Sequence, residues 1–279
     1  MSTTLGIIAS SRQQGPPLLL DAYPGAAVAC SLRKLRTAYT GFCIQVQRDS
    51  DGATLNIGFV NNVLDTTTLL TFVGAANGRV ITLYDQSGNA NDLTKDLVIP
   101  APKIVNSGII YTANSKPTIL FVSTEFLNFT TSLSSFNPIS LFLTQKANNT
   151  TNAGGYIGHS SGGGSGPIFG VINGNSTYFN FGFNANSVNG GNGILVGTNM
   201  NNINMVVNST NYYPYINNTT NNFSISTWAP STTLYSRLGS AYPGQTPNAY
   251  ISEMIIYKTD QLANRTGIVN NTNSFYTLF

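Results

Sequence analysis

From Pro24 onward, apolar side chains recur at Ala26, Ala27, Cys30, Leu32, Leu35 and Ala38, with Arg33, Lys34 and Arg36 set between them. That spacing predicts an amphipathic helix whose basic residues form a solvated face. Next come two alternating runs, Ile44 to Arg48 and Thr54 to Phe59, joined by Asp49-Ser50-Asp51-Gly52, which predicts a β-hairpin. Asp65 to Phe72 opens with a helix-capping residue and predicts a short helix, against the resistance of its threonines. Arg79 to Tyr84 predicts a strand that runs into a polar turn, Asp85 to Asp92.

Beyond Ile104 the pattern changes to short apolar runs separated by Asn, Gly, Ser and Thr. These are Ile109 to Tyr111, Thr118 to Val122, Ile139 to Gln145, Tyr156 to Gly158, Ile168 to Ile172, Tyr178 to Phe183, Ile203 to Val207 and Ala249 to Tyr257. Many short strands at near-regular spacing predict an all-β sandwich or barrel. The stretch from Asp260 to Phe275 is either a closing helix or an irregular tail. Residues 1–17 carry no periodicity and end in Gln-Gly-Pro-Pro. They read as an N-terminal docking arm, or as an edge strand, ahead of a single domain over residues 18–279.

Composition sharpens this picture. Charged residues are 8% of the chain and the net charge is +3, so no basic stripe exists for nucleic acid. No run is long and apolar enough to insert in a membrane, and Leu5 to Ala9 is too short for a signal peptide. Cys30 and Cys43 are the only cysteines; a disulfide and a pair of reduced, packed thiols are both compatible with the sequence, and the thiols are the expectation.

Candidate chemistry is sparse. The single histidine, His159, sits beside a Gly-Ser loop with no nucleophile placed near it by sequence, and it cannot build a zinc site with two cysteines. Asp85, Asn89, Asn91 and Asp92 offer oxygen ligands but not EF-hand spacing, so turn hydrogen bonding is the preferred reading over calcium, and no metal or cofactor is expected. Between Glu125 and Glu253 there is no aspartate or glutamate. Glycoside hydrolysis uses two carboxylates flanking one bond, and the central strands supply none. In the same stretch Tyr212, Tyr213, Tyr215 and Trp228 interleave with amides and hydroxyls, a palette suited equally to an uncharged glycan or to an oligomer interface.

Several segments resemble known families. Asp21 to Ala27, Ser31 to Leu35, Tyr39-Thr40-Gly41 and Tyr84-Asp85-Gln86-Ser87-Gly88-Asn89 resemble the amino-terminal half of the catalytic domain of α-L-arabinofuranosidase B. Ala249 to Tyr257 resembles the closing strand of concanavalin A-like lectin domains. The resemblance implies a concanavalin-type jelly-roll β-sandwich with one or two short helices near the N-terminus. It also implies a nucleophile Glu and an acid Asp in the later half. The stretches of this chain that align there, Gly166 to Gly170 and Gly239 to Gly244, hold no carboxylate, and the family's vicinal cysteine pair is absent. The arm residues Leu5, Ile7, Ile8 and Arg12 resemble the starts of tailed-bacteriophage structural proteins.

From these resemblances follows the expectation of a non-enzymatic virion protein of a tail, fibre or head decoration. It would be docked on other virion proteins through its arm, form a homo-oligomer, with a trimer as one arrangement, touch host-surface glycan, and be released from host cytoplasm by lysis. The alternatives are an active arabinofuranosidase-like glycoside hydrolase using a shifted pair such as Asp85 with Glu253, or a self-associating shell or fibre protein without ligand.

Overall fold

The computed structural model describes residues 17–133, 138–148, 154–158, 168–171, 179–182, 198–208, 211–220, 235–240 and 246–279. Among these residues an 18-stranded antiparallel sheet curls into two layers. One layer centres on the closing strand Ala249–Tyr257, which pairs along one edge with Ile139–Ala147 and along the other with Val28–Ser31 and Ile119–Phe121. Beyond Ile139–Ala147 it continues through Asn201–Asn208 to Asn211–Ile216. The facing layer runs Thr54–Ile57, Ile44–Arg48, Gly78–Leu83, Leu93–Lys95, Leu127–Leu133, Tyr235–Leu238 and Gly154–Gly158. The strand Lys103–Asn106 joins the layers, pairing with Ile119–Phe121 on one side and Gly78–Leu83 on the other. This is the jelly-roll β-sandwich that the strand spacing predicts.

Alternation along each strand explains the core. Ile44 and Val46, Leu127 and Phe129, Leu141 and Leu143, and Met254 and Ile256 turn into one cluster between the layers. A second cluster lies on the outside of the closing-strand layer. There Phe142, Ile255 and Tyr257 are covered by helix α1 (Leu19–Ala22) and helix α3 (Arg265–Tyr276) through Leu19, Leu20, Ile268 and Val269. Helix α2 (Thr66–Val73) contributes Leu69 and Val73 to the inner core. Asp65 caps it, taking the Thr68 amide at 3.0 Å, and this cap offsets the poor helix propensity of its threonines.

One expected element is not there. The predicted helix from Pro24 is instead the strand Val28–Ser31. Val28, Cys30 and Leu32 face the inner cluster while Ala26, Ala29 and Leu35 face the outer one. A strand covered on both faces reads as a continuous apolar run, which periodicity cannot separate from a helix. The basic residues are therefore not one solvated face: Arg33 is turned inward and buried. Cys30 and Cys43 are free and buried. Burial pushes both thiols well above the usual range.

Candidate functional site

The outside of the closing-strand layer is sealed by α1 and α3, whereas among the described residues no helix covers the outside of the facing layer. That face follows from the same alternation: with Ile44, Val46, Val80, Leu83, Leu93 and Leu127 committed to the core, Gln45, Thr82, Thr94 and Asn128 must point outward. Tyr84 lies just past the same edge and donates to Asn56 Oδ1 at 2.9 Å, and Thr82 donates to Gln45 Oε1 at 3.4 Å. The result is a half-buried surface of amides, hydroxyls and one phenol.

Two carboxylates lie in the loops next to the paired strands Leu93–Lys95 and Leu127–Leu133. Asp96 follows the strand Leu93–Lys95 and accepts from the Val98 amide at 2.9 Å, the Ile99 amide at 3.3 Å and Asn128 Nδ2 at 3.3 Å. The Val98 amide is the main reason its carboxyl is held below the usual value of 3.8, with Arg237 contributing charge. Glu125 precedes the neighbouring strand. The pairing of the two strands ends at Leu127 with Lys95, and Asp96 and Glu125 both lie just beyond it. Glu125 is buried, and burial raises its carboxyl above the usual 4.5 despite Arg79 Nη1 at 3.1 Å and the Val122 amide at 3.2 Å. Arg79 also binds Asp49 through Nε at 2.9 Å. On the next strand Arg237 lies over the Phe126 ring at 4.2 Å, and its Nε is buried without a hydrogen-bond partner.

The shifted pair is excluded by its surroundings. Asp85 is the knot of its turn: it accepts from the amides of Ala29, Ser87 and Asn91 at 2.8, 2.9 and 3.0 Å and from the Ser87 hydroxyl at 2.6 Å. Asp92 caps the Asp85 amide at 2.9 Å, while Asn89 and Asn91 donate to the Ala27 carbonyl. These residues hold the chain together and are not arranged around a cation; among the described residues no cluster of three or more His, Cys, Asp or Glu could hold a metal. Glu253 is gripped by Arg33 through Nε at 2.6 Å and Nη2 at 3.0 Å, with Ser31 and Thr272 also donating to it.

Of the aromatic candidates, Tyr213 and Tyr215 lie half-buried on the strand Asn211–Ile216. The Arg265 guanidinium sits over the Tyr215 ring at 3.8 Å and covers that face. Trp228, the side chain of Tyr212, His159, and the arm residues Leu5, Ile7, Ile8 and Arg12 lie outside the described residues. Sequence reasoning passed over Asp96 and Glu125 as a pair. They are distant in sequence, and only tertiary pairing brings together the strands beside them.

The comparisons with known proteins find arabinofuranosidases. The family model for the catalytic region of α-L-arabinofuranosidase B matches residues 21–126. A probable α-L-arabinofuranosidase B of Aspergillus flavus is 35% identical over 103 residues, covering 34% of this chain and 20% of that protein. The α-L-arabinofuranosidase B of Aspergillus oryzae is 34% identical over 103 residues, with the same coverage. The chain thus matches about a fifth of the length of these curated relatives. A crystal structure of an arabinofuranosidase complexed with arabinofuranosyl-α-1,2-xylobiose superposes with a TM-score of 0.68 at 15% identity, covering 91% of this chain and 63% of the other. A GH54 α-L-arabinofuranosidase soaked with a cyclic sulfate inhibitor gives the same values. These structures show the fold to be a β-sandwich.

The same findings correct the expectation of a non-enzymatic virion structural protein. The family model and the curated relatives are those of a glycoside hydrolase, and none of them is a bacteriophage protein. The virion location and the release by lysis fall with that expectation. The physical reason for the error is that an absence of carboxylates from the central strands was read as an absence of catalysis. Carboxylates do flank two strands of the facing layer, Asp96 after Leu93–Lys95 and Glu125 before Leu127–Leu133.

Proposed function

We propose that this chain is an arabinofuranosidase-like glycoside hydrolase that binds its furanoside against the polar face of the facing layer, with Glu125 as general acid and Asp96 as nucleophile or base. The observation that carries this reading is the opposite displacement of two carboxyls beside a pair of bonded strands. Burial raises the Glu125 carboxyl, whereas backbone amides lower that of Asp96, and acid and base roles require such a division. Asn128 orients Asp96, and Arg237 on the next strand lies where it can hold a sugar hydroxyl. The matches to arabinofuranosidase B supply the substrate class.

Release of p-nitrophenol from its α-L-arabinofuranoside tests this. Glu125→Gln and Asp96→Asn should each lower kcat by about 10²–10⁴-fold while leaving a folded sandwich. Hydrolysis unchanged in both variants would overturn the assignment. No hydrolysis by the wild-type chain, with retention of the arabinoside, would make the face a binding surface only.

A further inference from the structure

We infer that a second carbohydrate site, selective for an acidic sugar of the hexuronate type, lies at the pocket formed by Lys34, the 39–42 loop and the Asn61-Asn62 turn. The pocket encloses about 550 Å³, within the range of small-ligand sites. It is lined by Lys34, Tyr39, Phe42, Phe59, Asn61 and Asn62 among others. It is distinct from the Asp96 and Glu125 end of the sandwich, and rests on the proposed function only for the class of ligand.

The walls are held in place before any ligand arrives. Tyr39 donates its hydroxyl to the Phe42 carbonyl at 2.7 Å, folding the loop on itself. A Cβ at Gly41 would lie 2.5 Å from that hydroxyl, so only glycine permits this closeness. The Tyr39 ring meets Phe59 edge-on at 6.3 Å. Opposite stands the turn between the strands Phe59–Val60 and Val63–Leu64. Asn61 and Asn62 both take positive φ, 50° and 64°, as the tight turn demands. The Lys34 amide donates to the Asn62 carbonyl at 2.8 Å, and Arg33 bridges Val63, locking the turn to the first strand's extension.

The chemistry converges on one kind of ligand. Phe42 is 48% exposed, an aromatic face that a pyranose ring can stack on. Two exposed asparagine amides offer paired donors and acceptors for vicinal hydroxyls. In the extended segment Arg33 and Lys34 alternate, so Arg33 turns inward to Glu253 while Lys34 turns out to this pocket. Lys34 is in none of the four ion pairs found among the described residues. A ring with hydroxyls on its edge and one carboxylate satisfies all three features. Phe42 also touches Tyr84, at 6.2 Å between ring centres, which borders the polar face, so a branched chain lying on that face could place an acidic unit here.

Calorimetric titration of the full chain with a glucuronyl-xylose disaccharide, with xylobiose, and with sodium acetate tests the inference. The expected result is saturable binding of the acidic disaccharide, about tenfold weaker in Lys34→Gln and in Phe42→Ala, with xylobiose at least about tenfold weaker on the wild type. Equal binding of acidic and neutral disaccharides, an unchanged affinity in Lys34→Gln, or acetate competing as well as the disaccharide would each overturn it. The same titration on Asp96→Asn separates the two proposals. Uronate binding kept in that variant without hydrolysis supports this site independently, and hydrolysis by the wild-type chain with no uronate binding sinks this inference alone.

Discussion

Replacing Glu253 with alanine distinguishes a structural carboxylate from a reacting one. In the folded chain Arg33 and Glu253 are 7% and 2% exposed, and the guanidinium makes two contacts to the carboxylate. Burial alone would weaken the Arg33 charge, yet the facing carboxylate more than offsets this and its pKa ends raised. Arg33 also donates to Asn271 Oδ1 at 2.9 Å and lies 5.2 Å from the centre of the Phe275 ring, so the pair ties the first strand to the closing strand and to α3. Removing one partner strands a buried charge, a loss of about 3–5 kcal/mol. For a chain of this size that is a fall in Tm of roughly 6–20 °C, because each kcal/mol moves Tm by about 2–4 °C. The assay is thermal unfolding of Glu253→Ala followed by circular dichroism, with arabinofuranoside hydrolysis measured well below the new Tm. The expected outcome is a large drop in Tm with hydrolysis retained in the cold. A wild-type Tm with hydrolysis abolished would refute the reasoning and return Glu253 to the reacting pair.

The pH profile of kcat/KM should be bell-shaped. The acid limb falls as Asp96 is protonated below 3.8, and the alkaline limb falls as Glu125 ionises above 4.5; a limb missing in Glu125→Gln confirms its source. The same Glu125 shift has a stability consequence. A carboxyl raised on folding contributes stability present below 4.5 and lost as pH rises through its folded pKa, so Glu125→Gln should flatten that part of a Tm-against-pH curve. Asp85→Ala leaves the amides of Ala29, Ser87 and Asn91 without their acceptor. It should cost about 3 kcal/mol or more, read as a lower urea midpoint with an unchanged m-value. Gly239 has φ +88°, and a Cβ there would lie 2.2 Å from the Phe121 ring. Gly239→Ala should therefore lower stability by about 1–3 kcal/mol, and a wild-type Tm would show that the core yields there.

By itself the sequence determined the class of fold and many of its pieces. Local signals were enough for the hairpin Ile44–Arg48 with Thr54–Ile57, for α2 with its Asp65 cap, and for the closing strand Ala249–Tyr257, where turn residues, a cap and an uninterrupted apolar run act within a few positions. Free buried cysteines and the Asx-bonded turn at Asp85 were legible for the same reason. Tertiary structure alone decided the rest. Val28–Ser31 is a strand because two separate layers cover it, a fact no window of the chain contains. Arg33 reaches a partner 220 residues away, and that contact converts an expected solvated charge into a buried clasp. The strands beside Asp96 and Glu125 came together only through their pairing, and the opposite shifts of the two carboxyls follow from amides and from burial. Local patterning records which face of an element is apolar; what lies against that face is settled by contacts between distant segments, and the chemistry of this site depends on those contacts.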